Sequence, residues 1–430
     1  MSKQALSLAY YGDDFTGSTD VMEALSGNGV PTVLFTRIPT REERARFSGF
    51  AAVGLAGSSR SRTPQWMSAE LPVAFRWLAA EPATIVHYKV CSTFDSAPER
   101  GSIGRALEIG LDVFGQDMAA IVVGAPQLRR YTFYGHLFAA YGESVYRIDR
   151  HPVMSRHPAT PMGEADLLRH LAGQTDHPVA LLPADACDWS KRIAHAAEGG
   201  ARGLLVDVHD ATSQHRAGAV LRAMADAGRR FVIGSSGVEY ALLAGASPQK
   251  FEPLAPQERI AVVSGSCSPT TERQIRAACA AGFEGIAVDH AALGAEGPEG
   301  PSFRAALARA DAALRDGKSP LVYTALGAAT GRAGEDGGAA TGRALGALLA
   351  RLVDGHGLSR IAVAGGDTSS HAVAELGVLA LTLRKPVPQS PGSPVSLAHF
   401  GNERPPLELL LKGGQIGGDS YFADLRDGRL

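Results

Sequence analysis

The stretch Ala5-Leu6-Ser7-Leu8-Ala9-Tyr10-Tyr11 runs directly into Gly12-Asp13-Asp14-Phe15-Thr16-Gly17-Ser18-Thr19-Asp20. A short apolar run of this kind reads as a strand, and the glycine, carboxylates and hydroxyls after it read as a turn that opens a helix. The same unit recurs downstream. Residues 32–35, 51–55, 84–90, 119–123, 179–182, 204–208 and 231–233 are further apolar runs. Between them, 64–79, 102–114 and 217–227 carry apolar residues at helical spacing. Nearly continuous apolar strands alternating with helices predict parallel sheets covered on both faces, which makes the fold class α/β.

Residues 245–259 (GASPQKFEPLAPQER) interrupt this rhythm with three prolines and no period, and they read as a linker. The alternation then restarts with strands at 260–263, 285–288, 321–324 and 361–364, and helices from Pro269, near 303–314 and around 341–353. The glycine-rich segment 327–342 reads either as a loop over a site or as a solvent-side linker. Residues 394–398 and 407–411 read as a hairpin-like pair of strands. Two domains follow, 1–244 and 260–430, each a largely parallel sheet flanked by helices, with a cleft between them.

Among 430 residues, 42 Lys and Arg against 44 Asp and Glu give a net charge of −2, which argues against a nucleic-acid or anionic-membrane coat. There are 50 glycines where average usage would give roughly 30, and aromatics are only 7%. That combination suits close-packed α/β units with tight turns. Cys91, Cys187, Cys267 and Cys279 are scattered without CxxC spacing and read as reduced thiols. No cationic leader and no run of about 18 apolar residues is present, so the expected location is the cytoplasm. The base rate for soluble enzymes favours a two-fold homodimer.

Ligands on open parallel sheets bind at the carboxyl ends of strands, where helix N-termini present free amides. Four glycine-containing turns sit at such ends. In the first, Asp13 and Asp14 leave a strand in different directions, so one can cap the helix while the other faces a substrate hydroxyl as hydrogen-bond or proton acceptor. In the second, Ser264-Gly265-Ser266-Cys267-Ser268-Pro269, Ser268 fits as a cap and Pro269 as the first helical residue. The third, Gly365-Gly366-Asp367-Thr368-Ser369, repeats the design, with Asp367 either a cap or a contact to phosphate-bound Mg²⁺. The fourth, Lys412-Gly413-Gly414-Gln415, ends the last strand. Two further strand ends, at Ser58-Ser59-Arg60 and at Lys89-Val90-Cys91-Ser92-Thr93-Phe94-Asp95, offer cations and hydroxyls that could grip a small carboxylate. No HExxH, GxSxG, Walker A or strand-following GxGxxG motif occurs.

In combination, DDFTGSTD at 13–20, SSRS at 58–61, KVCSTFDS at 89–96, GSSG at 234–237, SGSCSPTTERQI at 264–275, GGDTS at 365–369 and KGGQIGG at 412–418 resemble the four-carbon acid sugar kinase family over essentially the whole chain. The resemblance implies an N-terminal sugar-acid domain, a C-terminal nucleotide domain and ATP-dependent phosphorylation with Mg²⁺. Residue by residue, it implies that Asp13, Asp14, Arg60, Lys89, Ser92, Thr93 and Asp95 meet the sugar acid, with Asp13 or Asp14 as the catalytic acceptor. It implies likewise that Ser264, Ser266, Gly365, Gly366, Asp367, Thr368 and Gly414 meet ATP. Many members read KxDSTLRGN where this chain has KVCSTFDSAPERGSIG, which widens the expected acceptor from tetronates to a branched 3-oxo acid of the apionate type. On the residues alone, an NAD-dependent oxidoreductase and a non-enzymatic two-lobed sugar-acid sensor stay open beside the kinase.

Overall fold

The structure is a computed structural model that describes residues 7–157, 160–327, 335–402 and 404–430, apart from the side chains of 335–337 and 367. The chain divides into two compact units, Met1–Leu34 with Arg46–Gln249, and Phe35–Ala45 with Lys250–Leu430.

The first unit holds β1 (Leu8–Gly12), β2 (Thr32–Phe35, ending at the unit boundary), β3 (Ala52–Ala56), β4 (Ile85–Lys89) and β5 (Ala119–Val122). It continues with β6 (Arg130–Phe133), β7 (His136–Tyr141), β8 (Ser144–Arg147), β9 (Val179–Leu182), β10 (Gly203–Val206) and β11 (Phe231–Gly234). The main sheet runs β2-β3-β1-β4-β11-β5-β10-β9, and β3 to β9 in that order pair in parallel. Its strands are buried almost end to end, as an apolar run covered on both faces should be. The register is level at the carboxyl edge: Gly12 pairs with Ala56 and Lys89, and Gly234 with Lys89 and Val122. Every sequence motif of this half therefore leaves the sheet at one edge.

The second unit holds β12 (Ala261–Ser264), β13 (Glu284–Ala287), β14 (Pro320–Tyr323), β15 (Arg360–Ala364), β16 (Val378–Lys385), β17 (Val395–Phe400) and β18 (Leu407–Lys412). Its order is β13-β14-β12-β15-β18-β17-β16, parallel from β13 to β18 and antiparallel through β17 and β16. The expected hairpin is thus β17–β18, appended to a parallel sheet. The core of this unit gathers Ile260, Val262, Ile275, Leu321, Ala362 and Leu410 with Tyr421, Phe422 and Leu425 from the last helix.

Several elements differ from expectation. The first strand was expected from Ala5; residues 1–6 lie outside the described residues, and the described strand begins at Leu8. The three-stranded antiparallel sheet β6-β7-β8 and the strand β16 carry no counterpart in the sequence reading. The strands β6–β8 are short, and several of their residues are only half-buried or exposed, which weakens a period-2 signal. Of the glycine-rich segment 327–342, residues 328–334 lie outside the described residues, and from Glu335 onward it is helix, Glu335–His356, which contains and extends the helix expected around 341–353. Gly346 in it serves packing. A Cβ on Gly346 would stand 2.6 Å from the backbone of Ala372, so the small residue lets this helix approach the helix Gly366–Glu375.

Arg360 at the start of β15 is fully buried and donates from Nε to Glu408 at 2.7 Å and from Nη1 to the Leu425 carbonyl at 2.8 Å. Glu408 also accepts from Arg384 at 3.1 Å. Removing the shared carboxylate strands a buried guanidinium, so Glu408→Ala should lose about 3 kcal/mol of stability. Denaturant unfolding checks this, and a loss below about 1 kcal/mol would show that Arg360 is neutralised by something else.

Candidate active site

The first cluster forms where β3, β1 and β4 end. Gly12 is required there, because a Cβ would stand 1.9 Å from Ser18 Oγ in the first turn of the helix Phe15–Gly27. The two adjacent carboxylates divide as their opposite directions from the strand dictate. Asp14 is the N-cap: its Oδ1 accepts from the Gly17 amide at 2.5 Å, an interaction typically worth about 1 kcal/mol. Its Oδ2 accepts from Arg60 Nη1 at 2.7 Å. Asp13 points inward, 5% exposed, and its Oδ1 is buried with no hydrogen-bond partner. Its backbone is clamped, with the amide donating to the Lys89 carbonyl at 2.9 Å and the carbonyl accepting from the Arg60 amide at 3.0 Å.

Arg60 links the cluster. Its Nη2 donates to both oxygens of Asp95, at 2.9 and 2.8 Å, so a single guanidinium bridges Asp14 and Asp95. Asp95 also accepts from Thr93 Oγ1 at 2.5 Å and Thr160 Oγ1 at 2.9 Å. Burial alone would raise the Asp95 carboxyl, but Arg60 and the hydroxyls of Thr93 and Thr160 outweigh it and hold the group below its usual range. The turn that brings Asp95 round forces Phe94, fully buried, into the left-handed region at φ 54°, a strained conformation of the kind that collects at functional sites. Lys89 is buried with its Nζ 3.6 Å from Asp20, and burial, which would lower its pKa, is outweighed by the charges of Asp20 and Asp13. Ser92 is half-buried in the same turn.

Asp13 is left with the opposite balance. Burial pushes its carboxyl up to about 8, the negative charge of Asp14 adds to this, and Arg60 and Lys89, each engaged with other carboxylates, offset it only in part. Asp13, Asp14, Arg60, Lys89, Ser92, Thr93 and Asp95 therefore share one strand edge, with Asp13 as the single carboxylate among them that lacks a cationic or hydrogen-bond partner on one oxygen.

The second cluster lies in the other unit, where β12, β15 and β18 are neighbours and Ser264, Ala364 and Lys412 stand in register. The three glycine turns that follow them meet. A Cβ on Gly265 would stand 2.2 Å from Thr368 Oγ1, one on Gly365 would stand 2.9 Å from the same atom, and one on Gly414 would stand 3.0 Å from Ser266 Oγ. Ser264, Ser266, Gly365, Gly366, Thr368 and Gly414 are thus brought together. As the sequence indicates, Ser268 caps the helix Pro269–Ala280 by accepting from the Thr271 amide at 3.1 Å. The helix after β15 differs. Its N-cap is Gly365, at φ 119°, a conformation that only glycine adopts easily, so Asp367 stands inside the first turn and is not the cap. The side chain of Asp367 lies outside the described part of the structure.

Lys412 has a larger part than its place in a turn suggested. It is 1% exposed, and its Nζ donates to the Gly413 carbonyl at 2.8 Å, Thr271 Oγ1 at 3.1 Å and the Gly414 carbonyl at 3.3 Å. Burial pulls the ammonium down to about 8. A buried cation beside two helix N-termini and a glycine cradle is suited to an anion. The signal was a lysine closing an apolar strand, Leu407–Lys412, where a charge has no structural reason to be.

The comparisons with known proteins agree with this division. Residues 8–242 match the family model of a sugar-binding N-terminal domain, and residues 261–422 that of a nucleotide-binding C-terminal domain. A 3-oxo-isoapionate kinase of Paraburkholderia graminis is 42% identical over 99% of this chain and 95% of its own length. A 3-oxo-tetronate kinase of Methylobacterium radiotolerans is 32% identical over 98% of this chain and 99% of its own. A solved structure of a Salmonella typhimurium LT2 protein superposes with a TM-score of 0.79 at 28% identity, covering 98% of each chain. One from Haemophilus influenzae does so with a TM-score of 0.73 at 26% identity, covering 98% of this chain and 100% of the other. Among the described residues no helix is long and apolar enough to cross a membrane.

The protonation of Asp13 has a consequence for stability. A carboxyl raised in the folded state contributes nothing adverse below its unfolded pKa near 3.9, and costs stability progressively as pH rises toward about 8. Asp13→Asn should therefore melt at a higher temperature than the parent, by a margin that widens between pH 4 and 8 and then levels. Parallel melting curves across that range check this; a margin that does not change with pH would mean that Asp13 titrates normally.

Proposed function

Because this chain belongs to the four-carbon acid sugar kinase family, we propose that it transfers the terminal phosphoryl group of ATP to a hydroxyl of a small 3-oxo sugar acid, of the branched 3-oxo-isoapionate type in preference to a linear tetronate. The family membership rests on two domain models and on relatives aligned nearly end to end. The preference for the branched acid rests on the 42% identity to a 3-oxo-isoapionate kinase and about 30% to 3-oxo-tetronate kinases, together with the departure at KVCSTFDS.

The observation that carries the mechanism is the unpaired, buried oxygen of Asp13. Phosphoryl transfer has a loose transition state, so positioning and charge balance matter more than covalent chemistry. Arg60 pairs with Asp14 and Asp95 and holds the Asp95 carboxyl below its usual range, and Asp14 is further committed to capping its helix. Asp13 remains to accept a hydrogen bond from the acceptor hydroxyl and to take its proton late in transfer. Ser92 and Thr93 lie in the same turn, where their hydroxyls suit the sugar's remaining oxygens. In the other unit, Ser264, Ser266, Gly365, Gly366, Thr368 and Gly414 bring backbone amides and hydroxyls together, and Lys412 lends them a positive field. These residues fit a polyphosphate. ATP supplies the phosphoryl group, and Mg²⁺ carried on its phosphates neutralises charge there. Among the described residues no group of three His, Cys, Asp or Glu side chains forms a metal site.

ADP release from a panel of threonate, erythronate, 3-oxo-tetronates and 3-oxo-isoapionate tests the proposal. The branched acid should give the highest kcat/KM, whereas a faster tetronate, or ATP hydrolysis with no phosphorylated acid, would contradict it. Asp13→Asn should lower kcat by about 10²–10⁴-fold while leaving the ATP-induced thermal shift in place. In the parent enzyme, kcat/KM should climb about tenfold per pH unit up to the Asp13 titration at about 8. Loss of ATP binding in the variant would assign Asp13 a structural role instead.

A further inference from the structure

The proposed acceptor is an acid, yet the cations that the sequence offered for its carboxylate are engaged. Arg60 is bridged between Asp14 and Asp95, and Lys89 faces Asp20. The guanidinium of Arg130 belongs to the same carboxyl edge. Arg130 follows β5 and is tied back to its end by reciprocal backbone bonds with Ala125, at 2.9 and 3.1 Å. The neighbouring strand end is locked to β5 as well, since the Ser235 amide donates to the Val122 carbonyl at 3.0 Å and the Ser235 hydroxyl to the Val123 carbonyl at 2.7 Å.

The side chain of Arg130 is incompletely satisfied. Nη1 donates to the carbonyls of Leu128 and Arg129, at 2.9 and 3.2 Å, while Nε is buried with no partner. A buried guanidinium donor without an acceptor is costly, and it is retained where a ligand completes it. Among the described residues the charged and titratable groups acting on Arg130 are Cys91, Arg129 and Tyr131, with no carboxylate among them. Cys91 acts on Arg60 and Lys89 too, which places Arg130 beside the first cluster from the β5 side. His151, the other basic group that feels Arg130, accepts from the amides of Val153 and Met154 at its Nδ1, the arrangement of a neutral ring. Arg129 is held at φ 54°, so the backbone that aims Arg130 is itself strained, as at Phe94.

We infer that Arg130 is the residue that takes the carboxylate of the sugar acid, its fork receiving both oxygens while Asp13 receives the hydroxyl. This rests on the sugar-acid kinase reading above and deepens it: Arg60 fixes the enzyme's own carboxylates, and Arg130 selects for the substrate's. A planar guanidinium pairs with a carboxylate through two parallel bonds, and a neutral amide or alcohol forfeits the charge-assisted part.

The test compares the sugar acid of highest kcat/KM in the panel with its carboxamide, in the parent enzyme and in Arg130→Met and Arg130→Lys. The parent should prefer the acid by about 100-fold, the size expected for a buried charge pair against its uncharged counterpart. Arg130→Met should lower kcat/KM for the acid by a similar factor, chiefly through KM, and shrink the preference below about fivefold. The KM for ATP should change less than about threefold. Arg130→Lys, which keeps the charge and loses the fork, should fall between, with a preference reduced by about tenfold. A merely structural arginine would depress acid and amide alike, so an unchanged preference in either variant overturns the assignment. If Arg130→Met shows no ATP-induced thermal shift and is therefore misfolded, Arg130→Lys alone decides. If the parent phosphorylates no acid of the panel, it is the kinase reading that falls.

Discussion

A single guanidinium, that of Arg60, sits between Asp14 and Asp95, and the chemistry of the first unit follows from that placement. Four carboxylates lie close together there, counting Asp20, and two cations serve them. Arg60 serves two carboxylates at hydrogen-bond distance, and Lys89 lies toward Asp20. The charge balance leaves Asp13 outside every pair. In water such a carboxyl would ionise readily, but here burial and the charge of Asp14 favour the protonated form. An isolated carboxylate that is costly to ionise is a strong acceptor once a hydroxyl approaches it, which is the property a general base requires.

The second unit solves the converse problem. Three parallel strands end level, and the turns after them carry glycine at the points where any Cβ would strike Thr368 or Ser266. The outcome is a close meeting of turns that carry amides and hydroxyls, with the ammonium of Lys412 buried against Thr271. Its three acceptors are neutral. Such a site is electrostatically incomplete without an anion, much as the Arg130 guanidinium is incomplete without an acceptor. On the proposed reading, each unit keeps one cation at a strand edge, Lys412 for a phosphate and Arg130 for a carboxylate.

Much of this was legible from the chain. Parallel strands announce themselves as apolar runs, and the turns at their carboxyl ends drew attention because glycine, hydroxyl and carboxylate cluster where a ligand would bind. Ser268 as cap and the appended hairpin were read correctly. What escaped depended on partners distant in sequence. Nothing local says that Thr160 bonds to Asp95, that Arg60 is claimed by two carboxylates, or that Thr36 hydrogen-bonds to the Val378 carbonyl and so draws 35–45 into the second unit. The helix expected around 341–353 begins earlier, at Glu335, and runs through Gly342 and Gly346, which are contact points against His371 and Ala372, so tertiary packing overrides propensity there. Asp367 was weighed as a cap, but Gly365 took the role because the turn needs a positive φ.

The protonation state of Asp13 is the point on which charge balance and mechanism both turn, and it can be read directly. In protein labelled with ¹³C at the aspartate carboxyl, titrated from pH 4 to 9, the resonance absent from Asp13→Asn identifies the group. Movement of that resonance centred near pH 8 is the expected result. A midpoint near the ordinary aspartate value of about 3.9 would contradict it and would mean that Arg60 and Lys89 fully offset the burial of Asp13.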